Sequence, residues 1–332
     1  MKCFDDTATL RGSREANCAL RRGPLTFRPI PIKRIWGGSK LNSYGKKLSS
    51  GIAIGELWEV VDREDAQSIV HYGPLQGYTL NVLWQNHREE IFGSHLMNFS
   101  SPRFPILCKL LDVQECLSIQ VHPPEWVAKA LNVASKSEVW YFLDTVPGAR
   151  IYAGLKNGTS KRFFEALLAI GRVEEALHKL PVEVGSSLFV PSGRLHAIGE
   201  GNIVVEIQQN SDTTFRLYDW NRLGFNGHPR QLHIQESLAS IDFSDFEPCL
   251  QPSGQRSIAR CPFFQVDFLE IAQLIQANHE AKFSIYVVTR GKIACGERKF
   301  TIGQFFFVPA QDFKMPIRPL ERTSCVLKIT LP

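Results

Sequence analysis

The chain has 332 residues, of which 44% are hydrophobic and 21% charged, so it can bury a sizeable core and form two domains. These proportions exclude a disordered or fibrous chain. The formal net charge of +5 is spread along the whole length, and no run approaches the apolar length of a membrane span. We therefore expect a cytoplasmic protein with a small-molecule partner, and neither a nucleic acid nor a membrane.

The eight cysteines are scattered and include no C-x-x-C pair, which excludes a zinc ribbon and a thioredoxin-like motif. Cys108 and Cys325 lie in apolar, strand-like runs, where a free thiol behaves as a small hydrophobic side chain. We expect these cysteines to be reduced and buried.

The first residues of the chain differ in pattern from the remainder. Residues 1–23 mix acidic and basic side chains without periodicity, which predicts a disordered tail. From Pro24 onward, short apolar runs recur between Gly, Pro and Asn signals, among them FPILCKLL, CLSIQVH, EVWYFL, SSLFVP and NIVVEIQQ. This pattern is typical of an all-β sandwich or barrel.

Helical spacing interrupts the strand-like runs in three places. The segments are TLNVLWQNHREEIFG, then EWVAKALNVA, then the pair KRFFEALLAIG and RVEEALHKL, with Gly171 between the last two as a helix stop. A polar stretch follows Trp220, and a second set of strands begins near Phe263. We place a domain boundary near Gln231, which gives domains of residues 24–230 and 231–332.

A short internal sequence repeat indicates that the two domains are related. Two sets of residues share the same offsets, namely Gly185, Pro191 and His196 in the first and Gly303, Pro309 and Lys314 in the second. An apolar strand lies between the Gly and the Pro of each set, which suggests a duplicated β-domain, although so short a motif can also match by chance. Because Lys314 stands where His196 stands, a metal held by His196 has no equivalent in the second copy.

The segment LSIQVHPPE carries a polar and an apolar face. Strand alternation puts Ser118, Gln120 and His122 on one side and the apolar residues between them on the other. Inside a small barrel such a polar face needs hydrogen-bond partners, a ligand or a metal. The alternative is an edge strand whose polar face meets solvent.

Two further residues complete a candidate metal site. His196 follows the tight turn in VPSGRLH, and Glu138 opens the strand EVWYFL. Each has a plain alternative, a surface-loop histidine and an exposed strand end. Together with His122 and the amide oxygen of Gln120, they form an N/O ligand set with room for water or substrate, as a catalytic divalent metal requires.

Four charged residues are candidates for catalysis and substrate binding. Glu206 interrupts an apolar run, so it is either a general base with a raised pKa or the partner of an arginine. Arg216 is suited to a phosphate or a developing oxyanion, or pairs with a nearby aspartate. Lys109 and Lys136 are candidate phosphate contacts, against the alternative of ordinary snorkelling lysines.

In these motifs the chain resembles type I phosphomannose isomerases, and the shorter bacterial form fits best. The motifs are PIPIKRIWGG, IGELWE, FPILCKLLD, LSIQVHPPE, KSEVWYFL, FVPSGRLHAIG and EIQQNSDTTFRLYDWNR. Their combination is far more specific than any one of them. The resemblance covers residues 24–222 strongly and the rest of the chain weakly.

The resemblance implies a fold and a set of site residues. The expected fold is a double cupin, mainly β, with two jelly-roll β-barrels and a few helices around the first barrel, the second barrel being degenerate. The implied cofactor is one Zn²⁺ per chain. The implied site consists of Gln120, His122, Glu138 and His196 as metal ligands, Arg216 and Glu206 as catalytic residues, and Ser118, Lys109 and Lys136 as substrate contacts.

The activity that the resemblance implies is interconversion of D-mannose 6-phosphate and D-fructose 6-phosphate through an enediol, with Glu206 or a metal-bound water moving the proton. Three alternatives stay open: a non-catalytic metal or sugar sensor, an iron-dependent cupin oxidoreductase, and an isomerase that prefers another aldose. The oligomeric state is also open, a monomer included.

Overall fold

The computed structural model describes residues 23–46, 48, 52–72 and 75–332. Apart from Gly23, the predicted tail lies outside the described residues. These residues are mainly β, and their strands are β1 Ile30–Gly38, β2 Ile54–Val60, β3 Ile106–Val113, β4 Ile119–Val121, β5 Glu138–Thr145, β6 Arg150–Leu155, β7 Leu177–Pro181, β8 Ser187–Val190, β9 His196–Ile198, β10 Asn202–Gln209, β11 Phe215–Tyr218, β12 Ser257–Arg260, β13 Gln265–Ile271, β14 Ile275–Gln276, β15 Ser284–Arg290, β16 Lys292–Cys295, β17 Arg298–Thr301, β18 Phe305–Val308, β19 Pro316–Pro319 and β20 Ser324–Thr330.

Short helices connect some of these strands. The α-helices are α1 Leu80–Asn86, α2 Arg88–Phe92, α3 Glu125–Leu131, α4 Lys161–Ala169 and α5 Ile234–Ser240, and the 3₁₀ turns are Lys40–Tyr44, Ser94–Leu96, Val173–Ala176 and Ala310–Asp312. The side chains of Thr79 and Ser160 cap α1 and α4 by accepting hydrogen bonds from backbone N–H groups. In the part of the chain that the structure describes, no helix is long and apolar enough to cross a membrane.

The helix predicted for RVEEALHKL is wrong, whereas the other helical segments form as expected. After α4 the chain turns at Gly171, whose φ is +70°, and makes one 3₁₀ turn. Leu177 then opens β7 and is buried opposite Leu155 of β6. Pairing within the sheet therefore outweighs the local helical spacing.

The strands form four antiparallel sheets. In hydrogen-bonded order, sheet I is β1-β2-β3-β10-β5-β8, sheet II is β11-β4-β9-β6-β7, sheet III is β12-β13-β20-β15-β18 and sheet IV is β14-β19-β16-β17. Sheets I and II form the first unit, and sheets III and IV form the second. Among the described residues, the two sheets of a unit are not hydrogen-bonded into a closed barrel, so each unit is an open jelly roll. The expected double cupin fold is confirmed.

Apolar layers stack the sheets in the order II, I, III, IV. Trp140 and Val204 of sheet I pack against Ile151 of sheet II. On the other face of sheet I, Val205 lies in the same buried cluster as Ile285 of sheet III. Because sheet I is buried on both faces, its strands read as nearly continuous apolar runs, and a polar residue among them needs a partner.

The residue pattern that is repeated in the two units falls on equivalent strands. β8 lies at the edge of sheet I beside β5, and β18 lies at the edge of sheet III beside β15. Gly185 and Gly303 precede these strands with φ values of +86° and +79°, in the left-handed region that favours glycine. The matched Gly-to-Pro spacing therefore marks the same turn and edge strand in both units.

The chain after Gln231 keeps contact with the first unit for some distance. Helix α5 packs on β11, and Gln251 exchanges backbone hydrogen bonds with Ser187 of β8. The first strand of the second unit opens only at Ser257. The boundary near Gln231 stays a prediction.

The cysteines within the described residues are free thiols. Cys108, Cys295 and Cys325 are buried, as the apolar runs around two of them predicted. Burial raises the pKa of Cys325, so the thiol form is favoured.

Candidate metal centre and active site

Sheets I and II bring the predicted site residues together between their facing surfaces. The strands that contribute are β3, β5 and β10 with Lys109, Glu138 and Glu206, and β4, β9 and β11 with Gln120, His196 and Arg216. His122 follows β4 directly. Since His122 and Ser118 are buried, the polar face of LSIQVHPPE lies in the interior and not in solvent.

The candidate metal ligands form one compact buried cluster. One ligand atom each from His122, Glu138 and His196 lies within 4.8 Å of the others. The Nε2 atoms of His122 and His196 lie 3.4 and 3.6 Å from the carboxylate oxygens of Glu138. Gln120 Nε2 lies 3.3 Å from His196 Nε2. Because only an amide oxygen binds a cation, a ligand role for Gln120 requires its amide to be turned over.

The two histidines are held with Nε2 directed at the cluster. Nδ1 of His122 donates to the carbonyl of Thr213 at 2.9 Å, and Nδ1 of His196 donates to the carbonyl of Arg194 at 2.8 Å. Burial, and after it Lys136, lowers the pKa of His122 to about 3, and burial also lowers the pKa of His196. Both rings are therefore neutral near pH 7, with a lone pair on Nε2.

Glu138 is the anionic member of the cluster. Its Oε2 lies 2.7 Å from Lys136 Nζ, and its Oε1 accepts a hydrogen bond of 3.0 Å from the indole of Trp140. Burial alone would raise the pKa of Glu138, but the positive charge of Lys136 holds that pKa well below its usual range. The cluster thus offers two neutral nitrogens and one carboxylate.

A cavity of about 200 Å³ adjoins the cluster. Among the predicted site residues, those that line it are Lys109, Ser118, Gln120, Lys136, Glu206 and Arg216. Lys109 Nζ lies 3.0 Å from Glu206 Oε1, and Lys136 Nζ lies 4.0 Å from the same atom. Burial, and after it Glu138, raises the pKa of Glu206 even though both lysines lower it. A buried carboxylate with a raised pKa is suited to proton transfer.

Arg216 differs from the other cations at the cavity. Arg34 pairs with Glu56, and Arg230 pairs with Asp219. Among the described residues Arg216 forms no ion pair, and its Nη1 donates to the carbonyl of Gln231 at 2.8 Å. Its guanidinium is therefore available to an anion in the cavity.

Residues that the motif reasoning did not assign also border the cavity, namely Arg34, Trp36, Glu56, Leu111, Leu117, Asp212, Thr214 and Arg230. Glu56 accepts hydrogen bonds from Arg34 and Trp58, both at 2.7 Å, and lies 3.6 Å from Lys109 Nζ. Burial would raise the pKa of Glu56, but Lys109 and Arg34 bring it down to about 2. The sequence feature that could have identified Glu56 is the alternation in IGELWE, which puts Glu56 and Trp58 on one face of β2.

Strand alternation fails at two places near the site. Leu117 lines the cavity and joins the layer between sheets I and II, whereas Ile119 and Val121 lie in the outer layer. Arg216 lines the cavity, but Tyr218 and Trp220 pack with the outer layer because the register shifts between Arg216 and Tyr218. A shift of one residue moves a side chain to the other face.

Comparisons with known proteins identify the family of this chain. The family model for the type I phosphomannose isomerase catalytic domain matches residues 30–144. Mannose-6-phosphate isomerase ManA of Bacillus subtilis (strain 168) is 39% identical over 221 residues, which cover 66% of this chain and 68% of that protein. Mannose-6-phosphate isomerase of Streptococcus mutans is 32% identical over 289 residues, covering 84% and 89% of the two chains.

A solved structure agrees with these matches in fold and extent. The crystal structure of the mannose 6-phosphate isomerase from Bacillus subtilis has a TM-score of 0.82 and 30% identity, and the alignment covers 93% of this chain and 100% of that one. The similarity thus extends over both units. The chain belongs to the type I phosphomannose isomerase family.

Proposed function

We propose that this enzyme interconverts D-mannose 6-phosphate and D-fructose 6-phosphate by moving a proton between C1 and C2 through an enediol. The observation that carries the proposal is a single cavity lined by Gln120, the buried carboxylate of Glu206 and the guanidinium of Arg216, with the His–Glu–His cluster next to Gln120. The names of the relatives, which are mannose-6-phosphate isomerases, support mannose 6-phosphate as a substrate. The reaction needs a base and a group that stabilises a developing oxyanion, and the cavity holds both.

The residues present fit the metal that the family implies. His122 Nε2 is buried and makes no hydrogen bond within the described part of the chain, and the ligand atoms around it combine nitrogen and oxygen. We assign one zinc ion to Gln120, His122, Glu138 and His196. Such an ion supplies Lewis-acid polarisation and fixes the orientation of bound oxygens. The same donor set also accepts cobalt, manganese or iron.

Glu206 is assigned as the base. In its ionised form the carboxylate takes the proton from C2 of the aldose and returns it to C1, while the hydroxyl proton on O2 passes to O1, and the reverse reaction uses the same groups. Lys109, 3.0 Å away, keeps the buried carboxylate charged before the proton arrives.

Arg216 and the lysines are assigned to the anionic parts of the substrate. Arg216 stabilises the oxygen that becomes negative in the enediolate. Ser118, Lys109 and Lys136 are assigned to the sugar phosphate, which positions the reacting carbons. Both lysines are also paired with carboxylates in this structure. Their replacement by methionine therefore tests phosphate binding only when phosphorylated and neutral sugars are compared, since an equal effect on both contradicts the assignment.

A coupled assay of mannose 6-phosphate conversion tests the proposal. The protein is stripped with a chelator, assayed, reloaded with zinc and assayed again. We expect activity to disappear on stripping and to return with zinc, because the neutral histidines cannot themselves polarise the sugar oxygens as a divalent cation does.

The possible failures point to different conclusions. Binding of the sugar phosphate without turnover in the zinc-loaded protein would favour a sensor, and activity that requires dioxygen would favour an iron oxidoreductase. Faster turnover of another aldose would retain the chemistry and change the substrate. The cytoplasmic location and the oligomeric state stay predictions.

A further inference from the structure

A second cavity, of about 370 Å³, lies in the first unit away from the metal cluster. The residues that matter for its chemistry are Cys116, Arg150, Tyr152, Glu200 and Trp220. Tyr152, Trp220 and Cys116 belong to the apolar layer on the outer face of sheet II, most of which the helices α4 and α5 cover. The cavity is the part of that face that the helices leave open, and its volume lies within the range of small-molecule sites.

Aromatic rings form one side of this cavity. The ring centroids of Tyr152 and Trp220 are 5.6 Å apart with an angle of 48° between the planes, and Tyr218, which does not line the cavity, packs on Trp220 with a centroid distance of 5.4 Å. The indole N–H of Trp220 donates to the carbonyl of Leu117 at 2.7 Å, which fixes the ring. Ring faces carry partial negative charge and attract the C–H groups of a saturated ring laid against them.

The rim adds one charge of each sign. Arg150 and Glu200 are exposed, and neither forms an ion pair within the residues that the structure describes. A carboxylate accepts hydrogen bonds from hydroxyl groups, and a guanidinium donates to them. Because the two charges cancel, the rim favours a neutral polyhydroxylated molecule over a phosphate.

We propose that this cavity is a second binding site, separate from the metal centre, for a neutral hexose. The sugar ring stacks on Trp220 and on the face of Tyr152 that Lys179 Nζ, 5.3 Å from the centroid of that ring, does not cover, and its hydroxyl groups bind Arg150 and Glu200. One chain segment separates the two cavities, since Cys116 lines this one while Leu117 and Ser118 line the other. A test must therefore distinguish the two positions.

The test is a titration of the zinc-loaded, full-length protein with D-mannose, followed by saturation-transfer NMR and calorimetry, with and without excess fructose 6-phosphate. We expect D-mannose binding that fructose 6-phosphate does not displace. Glu200→Ala removes a charged hydrogen-bond acceptor, so it should weaken that binding at least about fivefold. Tyr152→Leu should weaken it by a similar factor, because it removes the stacking face while keeping an apolar side chain.

The matched control is Trp126→Leu, which removes an exposed indole on α3 and should leave D-mannose binding unchanged. The exposed position of Glu200 makes its variant safe for folding, which circular dichroism verifies. Full displacement of D-mannose by fructose 6-phosphate, or equal binding by the Glu200 and Tyr152 variants and the wild type, would overturn the proposal. Tighter binding of inorganic phosphate than of D-mannose at this cavity would contradict the neutral class of ligand. None of these outcomes depends on whether the metal centre turns over mannose 6-phosphate.

Discussion

The two units share one arrangement of strands but carry different side chains at matching positions. In the first unit Glu138 of β5 lies opposite Val190 of β8, and in the second Ser284 of β15 lies opposite Val308 of β18. Ser284 is buried and accepts a hydrogen bond from Asn278. The position that supplies a carboxylate to the cluster in one unit thus holds a small neutral side chain in the other.

The signs of the charges at two facing strand positions of the first unit are reversed at the corresponding positions of the second. In the first, Glu206 of β10 lies between Lys109 and Trp140. In the second, Lys328 of β20 lies between Asp267 and Tyr286. Lys328 Nζ donates to the carbonyl of Ala277 at 3.0 Å, a partner within its own unit.

Aromatic packing fills the interior between sheets III and IV of the second unit. Phe306 stacks on Phe300 and Tyr286, with centroid distances of 4.4 and 5.0 Å. The same arrangement of strands therefore supports either a polar site or an apolar core, depending on which residues occupy a few inward-facing positions. Fold similarity between the units carries no information about chemistry.

The largest expected difference between the units comes from Glu138→Gln and its counterpart Ser284→Ala. Loss of the anionic ligand removes several kcal/mol of transition-state stabilisation, so we expect activity to fall by roughly 10³-fold or more. Ser284→Ala loses one neutral hydrogen bond and should change activity less than about twofold. The coupled assay, combined with metal analysis of both purified variants, checks this. Retained zinc and activity in Glu138→Gln would refute the ligand assignment.

Next in size is the effect of Glu206→Gln, compared with Lys328→Met in the second unit. Removal of a general base lowers kcat by about 10²–10⁴-fold, while the shape of the side chain is kept. Lys328→Met should leave kcat unchanged, since that lysine faces the second unit's own interior. Steady-state kinetics on folded protein measures both. Wild-type kcat in Glu206→Gln would show that another group moves the proton.

A smaller effect is expected on the pH profile. Burial and Glu138 raise the pKa of Glu206, and a base works only when ionised, so the fall of kcat/KM on the acid side should lie at a higher pH than the usual pKa of a glutamate would give. Lys109 lowers that pKa, so Lys109→Met should move the acid limb to higher pH. The exposed Lys156→Met serves as the control and should keep the wild-type profile. An acid limb that does not move in Lys109→Met contradicts the coupling.

The smallest effects concern the turn that both units share. Gly185→Ala and Gly303→Ala each put a side chain in the left-handed region, which costs about 1–2 kcal/mol, and the new Cβ also crowds Ser253 or Tyr44. Gly158 has a φ of +80°, and no atom lies within 4 Å of the position that a Cβ would take there, so Gly158→Ala reports the backbone cost alone. Urea unfolding measures the free energies. A stabilising substitution at either shared turn would contradict the matched geometry.

Patterns local to a strand were enough to predict much of the fold and the polar side of the site. Alternation in β4 and β10 correctly turned Gln120 and Glu206 inward, away from the apolar layers. The helix stop at Gly171 and the paired turns at Gly185 and Gly303 are also local properties, because φ is set by the residue itself.

The features that the sequence did not reveal depend on contacts between distant segments. The strand at Leu177 exists because β6 is available as a partner, and the turn of Trp220 to the outer face follows from a register shift. The ion pairs of Glu56 with Arg34 and Lys109 join residues more than twenty positions apart, and no periodicity in the chain encodes such pairs. The roles proposed for the site residues follow from the family resemblance.

In each unit, one edge strand is covered by a segment from a distant part of the chain. The edge strand β18 exchanges backbone hydrogen bonds with Leu25, near the start of the described chain, and the edge strand β8 does so with Gln251. An uncovered edge strand is a template for pairing with another molecule.

If the chain were divided at Gln231, each half would therefore lose the segment that covers its edge strand. The N-terminal half would lose Gln251, which covers β8, and the C-terminal half would lose Leu25, which covers β18. Each fragment would present a bare strand to the other copies in solution. The crossed segments thus cover two strand edges of the intact protein that would otherwise be open to pairing, a role independent of catalysis.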